Sequence, residues 1–224
     1  LAVSAPNTAA IFKIGVENIR QENFQQALED FTQIIERQEN LVDAAYSNRC
    51  LVNLQLQHNA AAQMDCLETI KYNSHNLEAH LNLGLAYYRL GEYEPALYQY
   101  QQVIQGDQRD YRAYYNSGLV YLALNQYSKA IASYQTALIH SPKLQTESKS
   151  LIYNDLALAY MMLKKNERAI FNFSQAIALN ESNHSPYYNR GCAYHQQGNY
   201  QAAIQNFSQA RTYPTNIPNM IIYS

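Results

Sequence analysis

Side chains with catalytic chemistry are few and scattered in this sequence. The six histidines show no pairing four residues apart, the spacing that places two metal ligands on one face of a helix. Asp107 and Asp110 are too few carboxylates for a calcium loop, and no glycine-rich phosphate-binding loop occurs. We therefore predict that the protein has no catalytic residues, no metal site and no cofactor, and that it is not an enzyme.

Asparagine recurs at intervals that indicate a recognition surface. Asn48, Asn82, Asn116 and Asn189 are separated by 34, 34 and 73 residues, and Asp155 stands 34 residues before the last of them. A carboxamide offers both a donor and an acceptor, so a row of them can hold the backbone of an extended peptide whatever its sequence. The alternative is that these side chains bond only within the fold itself.

The composition predicts a largely neutral polar surface. The chain has 224 residues, with 16 basic and 18 acidic side chains but 22 glutamines and 22 asparagines. A net charge of −2 argues against a nucleic-acid-binding surface, which needs a clear basic excess. No apolar run approaches the ~18 residues of a membrane-spanning helix. We therefore expect protein partners, no nucleic acid and no membrane span in this segment.

An internal repeat organises the chain. A small residue recurs at intervals of 35, 34, 34, 39 and 34 residues, an alanine follows it by twelve residues, and an aromatic residue or cysteine follows it by sixteen. The small residues are Gly15, Cys50, Gly84, Gly118, Ala157 and Gly191; the last set is Phe31, Cys66, Tyr100, Tyr134, Phe173 and Phe207. Apolar residues between these sites recur at helical spacing, which predicts two short amphipathic helices per repeat.

Glycine inside a helix costs about 1 kcal/mol relative to alanine. Its recurrence at one helical site therefore predicts that a neighbouring helix backbone approaches closely there, with the alanine twelve residues on as the facing contact.

Three cysteines are an odd and sparse set, so we expect no disulfide. Cys50 and Cys66, at two core sites of the second repeat, are interpreted as buried thiols.

The stretch from Ala79 to Tyr88, followed by Gly91-Glu92-Tyr93 and Ala96, resembles the tetratricopeptide repeat. The resemblance implies an all-α fold, a right-handed superhelical solenoid of antiparallel helix pairs. It covers six repeats, between a lead-in at 1–7 and a tail at 218–224. The repeats are 8–42, 43–76, 77–110, 111–144, 150–183 and 184–217, with an insertion at 145–149. Ser141-Pro142 before the insertion is interpreted as a helix start, and we predict a longer first helix in the fifth repeat, beginning near Lys143.

In such a solenoid the first helix of each pair lines the concave face. The resemblance to peptide-binding members of the family implies that the recurring asparagines line this groove and bind the peptide there. Of the 21 tyrosines, 11 fall in residues 77–144. Tyrosines are enriched in interfaces, so the third and fourth repeats are the expected centre of binding. The predicted groove residues are Asn48, Asn82, Asn116, Asp155, Asn189, Arg89, Arg112, Tyr88, Tyr115, Leu85 and Leu119.

The predicted function is a scaffold that binds a peptide or an amphipathic helix of a partner protein. The amide-rich and tyrosine-rich style looks like cyanobacterial members of the family, several of which assist photosystem assembly or repair at the thylakoid. The alternatives are a bacterial pilus or secretion assembly factor and the recruiting segment of a larger enzyme. We expect a soluble domain on the cytoplasmic side, attached to the thylakoid through an N-terminal anchor upstream of Leu1, or a periplasmic one. Weak self-association through the C-terminal end is also expected, because Pro214 breaks the last helix and no polar cap follows.

Overall fold

The computed structural model describes residues 7–142 and 146–212, and these residues form twelve helices with no strand between them. The all-α architecture of successive helix pairs predicted from the repeats is confirmed. The helices are α1 (Thr8–Arg20), α2 (Phe24–Arg37), α3 (Val42–Gln55), α4 (Asn59–Tyr72), α5 (Leu77–Arg89), α6 (Tyr93–Gly106), α7 (Tyr111–Ala123), α8 (Tyr127–His140), α9 (Thr146–Met162), α10 (Asn166–Leu179), α11 (His184–Gln196) and α12 (Tyr200–Thr212).

The helices divide into two compact units after Gly106. The N-terminal unit holds α1–α6 and the C-terminal unit holds α7–α12. Within each unit every helix packs on the next one in sequence, and the odd-numbered helices also contact one another. In each unit the odd-numbered helices therefore form one layer, here called the inner layer, and the even-numbered helices form the outer layer.

Local backbone chemistry sets where the helices begin and end. Four of the odd-numbered helices begin at an Asn or Asp whose side chain accepts a hydrogen bond from a backbone N–H in the first turn, which satisfies a donor that the helix leaves unpaired. All six turns inside a pair contain one residue with positive φ, seven residues after the small site. Those residues are Glu22, Gln57, Gly91, Asn125, Lys164 and Gly198. Glycine adopts this backbone without a steric penalty, which explains Gly91 and Gly198.

The recurring small residue lies against an aromatic ring. A Cβ atom on Gly84 would lie 2.5 Å from Cε1 of Tyr100, and one on Gly118 would lie 2.4 Å from Cε1 of Tyr134. The same relation holds in the first and last repeats, for Gly15 with Phe31 and for Gly191 with Phe207. The ring stands sixteen residues after the glycine, so the group that approaches most closely is an aromatic side chain, and the predicted close approach of a helix backbone was wrong. The predicted contact with the alanine twelve residues on stays a prediction.

The second repeat places a disulfide at this contact. Cys50 and Cys66 are fully buried and bonded, with their Cα atoms 5.4 Å apart. They occupy the small site and the aromatic site, which are sixteen residues apart, so the packing that brings Gly84 to Tyr100 brings two sulfur atoms together here. The interpretation of these residues as buried thiols, and the expectation of no disulfide, were wrong.

The insertion lengthens α9. This helix has 17 residues, whereas the other described helices have 13 or 14. Its predicted start near Lys143 lies outside the described residues. The sequence had predicted that Ser141 begins a helix, and that was wrong, because Ser141 ends α8. Its backbone N–H donates to the Ala137 carbonyl, and its hydroxyl donates to the Leu138 carbonyl at 2.9 Å.

Residues 7–142 and 146–212 contain neither a candidate membrane span nor a candidate metal-ligand group. No helix there is long and apolar enough to cross a bilayer. No group of three or more His, Cys, Asp and Glu side chains there is placed to hold a metal ion. The chain end predicted to self-associate, from Tyr213 onward, lies outside the described residues.

Candidate functional site

A polar network joins the three inner-layer helices of the C-terminal unit. The Tyr115 hydroxyl of α7 donates to Oδ2 of Asp155 on α9 at 2.7 Å, although the two residues are 40 positions apart. The Asn154 amide donates to Oδ1 of Asp155 at 3.1 Å, and the Asn189 amide of α11 donates to Oδ1 of Asn154 at 3.2 Å. Three predicted groove residues, Tyr115, Asp155 and Asn189, thus meet at one site. Asp155 and Asn189 remain partly exposed there.

Asp155 is the one acidic member of this network. Burial raises the pKa of its carboxyl group to about 6, although the hydrogen bonds from Tyr115 and Asn154 oppose that rise. The carboxyl is therefore mostly ionised at pH 7 and mostly protonated at pH 5. Its charged form is the one that the fold disfavours.

We expect the stability of the protein to report this titration. The folded pKa is raised, so the folded state binds more protons than the unfolded state between the ordinary value of 3.8 and about 6. The free energy of unfolding therefore falls as pH rises through that window, by on the order of 3 kcal/mol, and is constant above it. The Asp155→Asn variant lacks this loss. The difference in Tm between variant and wild type should shift in favour of the variant from pH 4 to pH 7; a shift in favour of the wild type would contradict the raised pKa.

Asn116 and Leu119 extend the same face of α7. Asn116 is only 2% exposed, and its side-chain oxygen has no hydrogen-bond partner among the described residues. Leu119 is partly exposed and packs on the core of the C-terminal unit. Tyr115 itself is buried, with its ring 5.8 Å from that of Tyr134.

The predicted groove residues of the N-terminal unit are mostly engaged within the fold. The Asn48 amide donates to the Ala44 carbonyl at 2.8 Å, one turn back along α3. Asn82 and Leu85 on α5 are both buried. Tyr88 is partly exposed, and its ring lies 6.1 Å from that of Tyr93.

The two predicted groove arginines have structural partners. Arg89 donates to the Leu54 carbonyl at 2.6 Å, near the end of α3, where the backbone N–H of Gln57 also donates to the same oxygen. Arg112 pairs through two nitrogens with Asp110, the residue that also caps α7. Both guanidinium groups are therefore engaged by the fold, and their role in a groove stays a prediction.

The sequence did not reveal one further arginine site, which occurs twice. Arg49 donates through Nε and Nη2 to both oxygens of the buried Asp65, at 2.9 and 2.7 Å, and through Nη1 to Thr32. Arg190 stands at the equivalent place and bonds to Asn206 and Ser174. Each arginine therefore ties together three helices. The available signal was the pattern Asn-Arg-small, in Asn48-Arg49-Cys50 and Asn189-Arg190-Gly191.

The site offers hydrogen-bond recognition rather than covalent chemistry. Cys192, on α11, is the free thiol of the described chain, and burial raises its pKa, which disfavours the nucleophilic thiolate. The partly exposed groups of the site are the Asp155 carboxyl, the Asn189 carboxamide, and Leu119 and Leu158, a set suited to holding a polypeptide segment.

Comparison with known proteins places the repeats in a family. A family model described as "TPR repeat" matches residues 86–125 and 157–198, and one described as "Tetratricopeptide repeat" matches residues 111–144 and 185–212. No curated protein sequence matches the chain.

Several solved structures share the fold. MamA from Desulfovibrio magneticus RS-1 is 20% identical, with 76% of this chain and 93% of that chain covered and a TM-score of 0.67. PilF from Pseudomonas aeruginosa is 19% identical, with 78% of each chain covered and a TM-score of 0.69. A chain of the APC/C hetero-tetramer Cut9–Hcn1 is 17% identical, with 94% of this chain and 41% of that chain covered and a TM-score of 0.80. At these identities the likeness shows the fold alone.

Proposed function

The chain is a member of the tetratricopeptide repeat family, and we propose that it is a non-catalytic scaffold that binds a segment of a partner protein on its inner layer. The observation that carries this proposal is the network of Tyr115, Asn154, Asp155 and Asn189. It links α7, α9 and α11 and presents partly exposed hydrogen-bonding groups at Asp155 and Asn189.

The recognition chemistry follows from what surrounds the network. Leu119 and Leu158 are partly exposed beside it, so a bound segment finds apolar contacts between hydrogen-bonding groups. An extended peptide or an amphipathic helix, which alternates polar and apolar features, fits that arrangement.

The weakly charged surface supports a salt prediction. Partner affinity should fall by less than about threefold between 50 mM and 500 mM NaCl, because hydrogen bonds and apolar contacts are screened little by salt. The dissociation constant of a binding peptide, measured by titration at both NaCl concentrations, checks this prediction. A loss of a hundredfold would show that surface ion pairs dominate recognition.

The biological setting is proposed from two observations. The likeness to PilF supports a pilus or secretion assembly factor among the alternatives. The buried Cys50–Cys66 disulfide supports an oxidising compartment such as the periplasm over the cytoplasmic side, since cytosolic thiols are kept reduced. A photosystem assembly or repair role at the thylakoid, and a recruiting role in a larger enzyme, stay predictions of the sequence.

Selection from a phage library of random 16-residue peptides tests the proposal. Peptides selected on the wild type should lose at least tenfold in affinity for the double variant Tyr188→Ala/Asn189→Ala. Tyr188 is 55% exposed on α11, beside the network. The matched control is Ile139→Ala on the outer-layer helix α8, where the side chain is 77% exposed. Equal loss for both variants, or loss for the control alone, would contradict binding on the inner layer, as would a library that yields no binder.

A further inference from the structure

We propose that Asp155 is a subsite that receives a lysine or arginine side chain of the bound segment. This inference rests on the proposed function, because it needs a protein segment on the inner layer. It adds the chemistry of one position in that segment, a basic residue.

The carboxylate geometry leaves room for a second set of donors. Oδ2 accepts one hydrogen bond, from Tyr115, and Oδ1 accepts one, from Asn154. An ionised carboxylate has about four acceptor positions on its two oxygens. Each oxygen therefore keeps one free position, which is the arrangement that a two-pronged guanidinium or an ammonium group fills.

A carboxylate at this position is a departure from the other repeats. The equivalent residues of the inner-layer helices are Lys13, Asn48, Asn82, Asn116 and Asn189. An amide at position 155 would carry no charge, whereas the burial of Asp155 disfavours its ionised form. A basic side chain of the bound segment would stabilise this ionised carboxylate, which the fold alone disfavours.

No basic side chain of the described residues pairs with Asp155. Tyr115 from α7 and Asn154 from its own helix contact it, and α11 reaches it through Asn189. The titratable contact is therefore the Tyr115 hydroxyl. On the helices packed against α9, Arg112 pairs with Asp110, Lys129 lies over the Tyr121 ring, His140 lies on the Tyr114 ring, Arg168 lies over the Tyr160 ring, Arg190 bonds to Asn206 and Ser174, and His195 contacts the Tyr200 ring. His184, at the start of α11, is the further titratable basic group of these helices.

Apolar walls complete the subsite. Leu158 follows Asp155 by three residues on α9, and Leu119 follows Tyr115 by four on α7, so each lies one turn along on the same side of its helix. Both leucines are partly exposed. Lysine and arginine carry methylene stems that pack on such surfaces while the charged end reaches a polar partner.

Parallel selections of the random 16-residue peptide library on wild type and on Asp155→Asn test the assignment. Wild-type selections should be enriched in lysine or arginine at a fixed position, and selections on Asp155→Asn should not. The best wild-type peptide should bind Asp155→Asn at least tenfold more weakly. The matched control, Glu167→Gln, removes one negative charge from the exposed surface of α10 and should leave the affinity unchanged.

The pH dependence of binding separates a specific pair from general attraction. Wild-type affinity should rise about tenfold from pH 5 to pH 7, because the ionised fraction of a carboxyl with a pKa of about 6 rises by that factor. The rise should be absent in Asp155→Asn. It should also be absent when the basic residue of the peptide is replaced by norleucine.

The outcomes distinguish this inference from the proposed function. Peptides that require Tyr188 and Asn189 but show no basic enrichment and bind Asp155→Asn normally would overturn the subsite and leave inner-layer binding intact. Peptides that lose as much affinity with Glu167→Gln as with Asp155→Asn would also overturn it. A library without inner-layer binders would overturn both proposals. Circular dichroism of Asp155→Asn, expected to match the wild type, shows that a lost affinity is not lost folding.

Discussion

Replacing Phe173 by alanine should cost about 3–5 kcal/mol of folding free energy, the usual penalty for truncating a fully buried phenylalanine. Phe173, on α10, is completely buried and belongs to the core that unites α7–α11 in the C-terminal unit. It occupies the recurring aromatic site, sixteen residues after the small residue Ala157. The cavity left by its removal lies inside that core, so the neighbouring helices cannot close it without losing their own contacts.

Phe171 provides the matched control two residues away on the same helix. Its side chain is 62% exposed, so Phe171→Ala should change stability by no more than about 0.5 kcal/mol. Denaturant unfolding measures both variants, and hydrogen exchange should show the loss for Phe173→Ala in α9, α10 and α11. Similar destabilisation by the two substitutions would contradict the assignment of the aromatic site to the core.

Reduction of the Cys50–Cys66 disulfide should destabilise the N-terminal unit by about 3 kcal/mol. The bond closes a loop between residues 16 positions apart, and a loop of this size restricts the unfolded chain by about that amount. Unfolding with and without dithiothreitol, followed by hydrogen exchange in α3 and α4, measures the effect. The oxidised protein should show one reactive thiol after denaturation, from Cys192.

A designed variant separates the bond from the packing around it. The double variant Cys50→Gly/Cys66→Tyr replaces the disulfide of the second repeat by a glycine–tyrosine contact like that of Gly84 with Tyr100. Its stability should not respond to dithiothreitol, whereas Cys192→Ser should respond as the wild type does. Three reactive thiols in the protein purified without reductant would contradict the disulfide.

The helix pairs were predictable because every repeat packs in the same register. Small residues, alanines and aromatic residues return at fixed intervals, and that periodicity places each on a helix face before any coordinates are known. The turns were less readable. Glycine marks the positive-φ residue in only two of six turns, and Glu22, Gln57 and Lys164 adopt the same backbone with no local signal.

The contacts between repeats were harder to predict. The expectation of no disulfide was based on the number of cysteines alone. The sixteen-residue separation of Cys50 and Cys66 is the interval between the small site and the aromatic site in every repeat, and residues at those two sites are in contact. The hydrogen bond from Tyr115 to Asp155 depends on how α7 packs on α9, two helices that the insertion separates in sequence. Asn154 joins the network because it is the sequence neighbour of Asp155. The row was predicted, but the partners of its members required three-dimensional packing.

Site-specific photo-crosslinking in cells of the source organism tests the central claim, that a partner protein binds on the inner layer. Benzoylphenylalanine replaces Tyr188 on α11 in one strain and Ile139 on α8 in another, since both side chains are well exposed and lie on opposite layers of the C-terminal unit. Our account predicts a discrete covalent adduct with another protein from position 188 and none from position 139. An adduct from position 139 with none from position 188 would contradict it.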